Sequence, residues 1–179
     1  MARIAHRIAY RIAATLALAA TGQMAQAATA KPCMTPTELK GMVAYMLPTV
    51  MGSLVDQCRP ALAPGASLLT RGPQLVGEFQ AGQSAAFPMA RQAFAKFSDK
   101  GDSSTAKMML GLPEVSLKPI IEMAVSEQLT SSIKVKDCPD IDRVFRTLEP
   151  LPARNFIDFF TEVITIGVRD NKDMTICPN

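Results

Sequence analysis

The sequence is poor in the residue types on which many catalytic and metal sites depend. It contains no tryptophan and a single histidine, His6, which lies among the first 27 residues. If those residues are removed on export, the remaining chain has no histidine at all. Ser-His-Asp catalysis, Cys-His catalysis and histidine-ligated metal sites are then excluded. No catalytic residues can be assigned from the sequence, and no cofactor or metal is predicted.

An excess of positive charge is also missing from most of the chain. The whole sequence carries 19 basic and 16 acidic residues. Three of the basic residues, Arg3, Arg7 and Arg11, lie in the first 27 residues, where no acidic residue occurs. The rest of the chain is therefore electrically balanced. Because nucleic-acid binding needs a basic surface, that class of partner is not predicted.

The first 27 residues have the layout of a secretory signal peptide. The three arginines precede a short apolar run, Ile12–Ala20, which is followed by the small-x-small site Ala25–Ala27. We expect cleavage within Ala27–Ala30 and a single helical domain over residues 28–179. The alternative, an uncleaved anchor, would need about 20 strongly apolar residues. No later segment is long enough to span a membrane, so we expect a soluble mature chain. The basic, alanine-rich style of the leading segment is typical of bacteria, so we expect a periplasmic or secreted bacterial protein.

The spacing of apolar residues predicts helices along most of the chain. The clearest start is Thr35-Pro36-Thr37-Glu38, where Thr35 can cap the helix, Pro36 suits its first position and Glu38 completes a capping box. Convincing alternating strands are absent. The sequence therefore predicts an all-α bundle of six to seven short helices stapled by two disulfides. The predicted helices cover residues 35–57, 73–82, 84–97, 104–110, 117–132, 139–148 and 154–168.

The last predicted helix is apolar around most of its circumference. Its side chains include Phe156, Phe159 and Phe160. A helix with apolar residues on nearly all sides is typically buried, so we expect this one to be central. Its β-branched end, Val163–Val168, is also compatible with a strand.

All four cysteines, Cys33, Cys58, Cys138 and Cys177, follow the predicted signal peptide, and an even number in an oxidising compartment indicates two disulfides. A helix between Cys33 and Cys58 would separate them by roughly 30 Å, whereas disulfide geometry requires Cα atoms within about 7 Å. We therefore expect each of them to pair with Cys138 or Cys177. The order stays open, although Cys58–Cys138 with Cys33–Cys177 would also tie the ends of the domain together.

One pair of carboxylates is a candidate for general acid–base chemistry. Asp158 and Glu162 are four residues apart on one side of the last helix, and Arg154 lies one turn earlier. In a buried location this pair would suggest a carboxylate-dependent hydrolase-type enzyme. The ordinary explanation is a polar stripe in which Arg154 contacts Asp158.

Two further patterns have both a functional and a structural interpretation. The acidic run Asp137–Asp142 offers oxygen ligands for calcium or magnesium, but it lacks EF-hand spacing because Leu148 occupies the twelfth position. The preferred explanation is a helix N-terminus with acidic residues placed favourably for the helix dipole. Methionine is frequent, with 11 residues, and Met42 and Met46 share a helix face. They suit copper(I), a pliable apolar groove or adaptable core packing.

The preferred functional hypothesis is a non-enzymatic binding or interaction module. Its partner would be an unknown protein or a small apolar ligand, because the usual catalytic residue types are missing and the interior is rich in methionine and phenylalanine. The alternatives are the enzyme around Asp158 and Glu162 and methionine-based copper binding. A cavity lined by apolar groups would favour the first hypothesis, and a deep pocket containing both carboxylates would favour the second.

Overall fold

A cross-linked set of helices makes up the part of the chain that the computed structural model describes, residues 33–98, 103–168 and 175–177. No strand occurs among these residues, which confirms the predicted all-α fold with two disulfides. None of the described helices is long and apolar enough to cross a membrane. The expected signal peptide lies outside the described residues. The helices are α1 (Pro36–Cys58), α2 (Ser67–Thr70), α3 (Gly72–Ser98), α4 (Ser103–Gly111), α5 (Glu114–Ser132), α6 (Cys138–Leu148) and α7 (Ala153–Gly167).

The capping box predicted at the start of α1 is present. The Glu38 N–H donates to Thr35 Oγ1 at 3.2 Å, and the Thr35 N–H donates to Glu38 Oε2 at 2.7 Å. Pro36 occupies the first turn, where a missing N–H costs nothing. Pro48 lies inside the helix without ending it, in agreement with the single helix predicted over residues 35–57.

The central helix is α1, and the prediction that the last helix is central was wrong. Eleven of the 23 residues of α1 are buried, whereas only Phe156 and Thr161 are buried in α7. The side chains of Phe159, Val163 and Ile166 are 41%, 47% and 63% exposed. Apolar residues do encircle α7, but no neighbouring element of the described chain covers its outer side. The alternative of a strand at its end is also wrong, since the helix continues to Gly167.

Helix α3 is one long helix rather than the two predicted on either side of residue 83. Gly82 and Pro88 lie inside it, and both are exposed. A helical glycine costs about 1 kcal/mol relative to alanine, and the extensive packing of α3 along α1 outweighs that cost. Gly41 on α1 allows this approach, because a Cβ added there would overlap Met89 Cβ on α3.

Two apolar clusters share α1 as a common wall. The larger cluster includes Leu39, Val55 and Phe156 and joins α1 to α2, α3, α6 and α7. The smaller cluster is built around Tyr45 and Phe87 and joins α1 to α3, α4 and α5. The bundle therefore has helices packed on different sides of α1.

Polar contacts link α5 to α1 beyond the smaller cluster. Tyr45 Oη donates to Glu122 Oε1 at 3.0 Å, the hydroxyls of Ser53 and Ser126 are 3.2 Å apart, and Gln57 Nε2 donates to a carbonyl just beyond the C-terminus of α5 at 2.7 Å. These contacts follow one another along both helices. These polar contacts help to fix the position of α5, which has few buried apolar side chains of its own.

The two disulfides pair each N-terminal cysteine with a C-terminal one. They are Cys33–Cys177 and Cys58–Cys138, with Cα–Cα distances of 5.0 and 5.4 Å. This is the order that ties the ends of the domain together, and the Cys33–Cys58 pairing excluded by helix length does not occur. The Met34 N–H donates to the Thr175 carbonyl at 2.8 Å beside the first disulfide, so the C-terminal tail is held against the start of α1.

Candidate functional site

An apolar groove opens between the C-terminal half of α1 and helices α6 and α7. Its volume is about 330 Å³. Eight of its lining residues are apolar, and they come from all three helices: Met51, Leu54, Ile141, Val144, Phe145, Leu148, Phe156 and Phe160. The groove exists because α6 and α7 each pack against α1 or its neighbours and leave a space between them.

Phenylalanine side chains supply much of the interior of the groove. Phe156 is 1% exposed, and its ring centroid lies 6.3 Å from those of both Phe145 and Phe160. Phe156 also meets Phe79 of α3 edge-to-face, with ring centroids 6.0 Å apart. Its buried ring therefore connects the lining of the groove to the interior beside α3. Val144, 60% exposed, lies at the mouth.

Two carboxylates are the polar members of the lining. Asp137 ends the 3-10 turn before α6, and Asp140 lies in the first turn of α6. Asp140 Oδ1 is 3.1 Å from an Nη of Arg143, and both side chains are about three-quarters exposed. The surface of the groove is nevertheless almost wholly apolar, so the carboxylate oxygens of these two residues contribute little to it.

The position of α6 is fixed at its first turns by two long-range attachments. Cys138, fully buried, is bonded to Cys58 at the end of α1. Asp142, 4% exposed, accepts a hydrogen bond from the Leu68 N–H at 2.8 Å and one from Arg146 at 3.0 Å. Because α2 has alanine at its N-cap, this carboxylate from α6 takes over the capping role. These attachments hold one wall of the groove at a set distance from α1.

Asp158 and Glu162 do not form a buried catalytic pair. They border a separate open depression with Lys40 and Thr161. Asp158 Oδ1 is 2.6 Å from Lys40 Nζ, and both of those side chains are more than half exposed. The expected contact with Arg154 was wrong, because α1 passes close enough to offer Lys40 instead.

The other predicted candidates have structural roles. Asp137 and Asp140 lie at the start of α6, as the helix-terminus explanation requires, whereas Asp142 is buried as described above. Among the described residues, no three His, Cys, Asp or Glu side chains are grouped closely enough to hold a metal ion. Met42 is buried in the larger cluster and Met46 packs against both clusters, in agreement with core packing.

Two ionisable groups on α1 have shifted pKa values. Burial by itself would raise the pKa of Glu38, but hydrogen bonds from Lys96 Nζ, at 2.7 Å, and from Thr35 bring it below its ordinary value. Burial raises the pKa of Tyr45 strongly, and its hydrogen bond to Glu122 adds to the increase. Both groups lie away from the groove and stabilise contacts of α1.

The groove was not predicted from the sequence. Ile141, Val144, Phe145 and Leu148 have the helical spacing of a single inward face. The structure divides them between the core, where Phe145 is buried, and the groove, where Val144 is exposed. Comparison of the chain with protein-family models, curated proteins and solved structures finds no match.

Proposed function

We propose that this protein is an exported, non-enzymatic binding module that holds a small apolar ligand in the groove between α1, α6 and α7. The observation that carries the proposal is the almost uniformly apolar lining. Sites for small molecules are typically concave, mostly apolar and about 300–1,000 Å³ in volume. At about 330 Å³ the groove suits one small molecule rather than an extended protein segment.

The buried aromatic wall and the cross-linked start of α6 support a preformed site. The buried ring of Phe156 packs against Phe79 as well as against the phenylalanines of the groove. The Cys58–Cys138 disulfide fixes the start of α6. A preformed apolar site binds with little loss of conformational entropy, since few side chains must be ordered when the ligand enters.

Export is proposed from the leading segment together with the disulfides. Structural disulfides persist in oxidising compartments such as the periplasm and the extracellular medium. All four cysteines, which form the two disulfides, follow the proposed cleavage region Ala27–Ala30 in the sequence. Both observations support a signal peptide over residues 1–27 and a single mature domain.

The enzyme hypothesis has less support than the binding hypothesis. Asp158, its central residue, is exposed and paired with Lys40, whereas a general acid or base with a strongly shifted pKa usually sits in a secluded site. The carboxylates that do border the groove are Asp137 and Asp140, on a different helix.

The proposal can be tested with the neutral fluorescent probe N-phenyl-1-naphthylamine. We expect saturable binding with one site per molecule. Val144→Asp should weaken it at least tenfold, because a charge at the mouth of an apolar site must be desolvated when the probe enters. The matched control is Val115→Asp on α5, where the native valine is 80% exposed and the affinity should not change. Equal loss in both variants, or the absence of saturable binding, would refute the proposal.

A further inference from the structure

We propose that the groove binds a single extended hydrocarbon chain whose polar end stays in solvent. This inference rests on the proposed function of the groove and names the class of its ligand, single-chain amphiphiles such as fatty acids and fatty alcohols. Three features of the groove support it: the almost wholly apolar surface, the elongated shape and the opening to solvent.

The surface of the groove offers almost nothing to which a polar atom of a ligand could hydrogen-bond. Side chains such as Met51, Leu54 and Phe160 form that surface. Burying a polar group there is unfavourable, because its hydration is lost and no hydrogen bond replaces it. The part of the ligand inside the groove is therefore hydrocarbon.

The groove is long and narrow, and its length runs along α6. The lining residues of α6 and of the turn before it extend from Asp137 to Leu148, a rise of about 16 Å. The other two helices contribute about one turn each. Over this length, the volume of about 330 Å³ corresponds to a mean cross-section of about 20 Å². Because carbon atoms in contact lie about 3.5–4.0 Å apart, such a cross-section accepts one hydrocarbon chain and not two side by side.

The length of the groove sets the length of the chain that it can hold. Carbon–carbon bonds of about 1.5 Å, arranged in a zigzag, advance an extended chain by about 1.3 Å per carbon. A length of about 16 Å therefore accommodates about twelve carbons. A longer chain would leave its last carbons in water, where they add nothing to the affinity.

The opening of the groove lets a bound chain keep its head group hydrated. Val144, at the mouth, is 60% exposed. The Asp140 carboxylate is paired with Arg143 and contributes little to the surface of the groove. We therefore expect the groove to discriminate between ligands by the length and shape of the chain rather than by the charge of the head group.

The area of the groove favours a small occupant over a second copy of the chain. Walls about 16 Å long around a space about 5 Å across amount to a few hundred Å². Each partner in a stable protein complex buries about 800 Å². A single hydrocarbon chain can fill the groove, whereas a protein partner would need a much larger contact.

The first test compares 1-dodecanol with cyclododecanol, which have the same number of carbons and one hydroxyl each but differ in shape. Displacement of N-phenyl-1-naphthylamine gives the affinity of each. We expect dodecanol to bind at least about tenfold more tightly, because the ring cannot extend along α6 and buries less of its surface. Dodecanoate and dodecyltrimethylammonium should bind within about threefold of dodecanol, since their charges stay in water and are screened by salt.

The second test measures chain length with octanoate, decanoate, dodecanoate, tetradecanoate and hexadecanoate. A fully buried methylene group changes the affinity about fourfold. Because the groove is open on one side, we expect an increase of about two- to fourfold per carbon from octanoate to dodecanoate. The affinity should level off by tetradecanoate, when the groove is filled.

A variant at the end of the groove tests where the chain lies. Leu148 is the last residue of α6 in the lining, so shortening its side chain should lengthen the groove. In Leu148→Ala, hexadecanoate should bind at least about twofold more tightly than tetradecanoate, whereas the wild-type protein should bind the two equally. The matched control is Leu110→Ala on α4, a residue that is 46% exposed and outside the lining, which should behave as wild type.

The outcomes separate this inference from the proposed function. If the dye does not bind saturably, both are refuted. If the dye binds but cyclododecanol competes as well as dodecanol, or if the affinity does not depend on chain length, the extended chain is refuted while an apolar site stands. A difference of more than about tenfold between dodecanoate and dodecyltrimethylammonium refutes a head group in solvent. An unchanged plateau in folded Leu148→Ala refutes the placement of the chain along α6; if that variant does not fold, the comparisons made with the wild-type protein decide the inference.

Discussion

The ion pair at the start of α1 gives a pH-dependent contribution to stability whose sign follows from the structure. Glu38 is 5% exposed and accepts hydrogen bonds from Thr35 N–H and Lys96 Nζ, each at 2.7 Å. Glu38→Gln retains a carbonyl oxygen for Thr35 but removes the charge opposite Lys96. Since a hydrogen bond to a charged group contributes about 1.5–3 kcal/mol, we expect the free energy of unfolding to fall by about 2 kcal/mol at pH 7.

The pKa of Glu38 is lowered in the folded protein from a reference value of 4.5. The stabilisation is therefore fully present above the unfolded-state pKa and is lost as the pH falls through the lower, folded-state pKa. Guanidinium denaturation of wild type and Glu38→Gln, measured at intervals from pH 7 down to pH 3, should show a difference that is constant near neutrality and shrinks below about pH 5. The reasoning is refuted if the difference persists unchanged at the acidic end or grows there. Glu127→Gln, an exposed carboxylate change on α5, serves as the control with no expected effect.

Two further predictions concern the attachments of α6. The Cys58–Cys138 disulfide closes a separation of 80 residues, so replacing both cysteines with serine should lower the free energy of unfolding by about 4 kcal/mol; an unchanged denaturation midpoint contradicts this. Because both sulfurs are buried, mass spectrometry after mild reduction and alkylation should find this pair modified last. Asp142→Ala should cost about 2 kcal/mol in the same denaturation assay, because it leaves the buried Leu68 N–H without its partner, whereas Asp140→Ala should cost little; equal losses would show that the cap is unimportant.

The features that the sequence predicted correctly depend on residues close together in the chain or on simple geometry. The capping box involves Thr35 and Glu38, three positions apart, and its residue types are specific. The exclusion of Cys33–Cys58 needed only the rise of a helix and the reach of a disulfide. Such arguments hold because no distant part of the chain can alter them.

The features that the sequence did not predict depend on which elements meet. The pattern of α7 showed that apolar residues surround it, but burial also requires neighbours on every side, and none covers Val163 and Ile166 in the described structure. Asp142 looked like one more acid at a helix start, yet its partner is an N–H 74 residues away. The groove arises in the same way, since its walls come from three helices whose separation is set by tertiary packing.

The disulfide between Cys33 and Cys177 also governs how the molecule responds to proteolysis. A single peptide-bond cleavage anywhere between these residues produces two fragments that remain covalently joined. A cut in the exposed turn at residues 63–65, for example, leaves the fragments linked by both disulfides, with the helices on either side still tethered. Such a nicked molecule retains the means to reassemble, because neither half can diffuse away. Resistance to fragmentation of this kind suits a small domain that we propose to work outside the cytoplasm, where proteases are common and replacement requires renewed export.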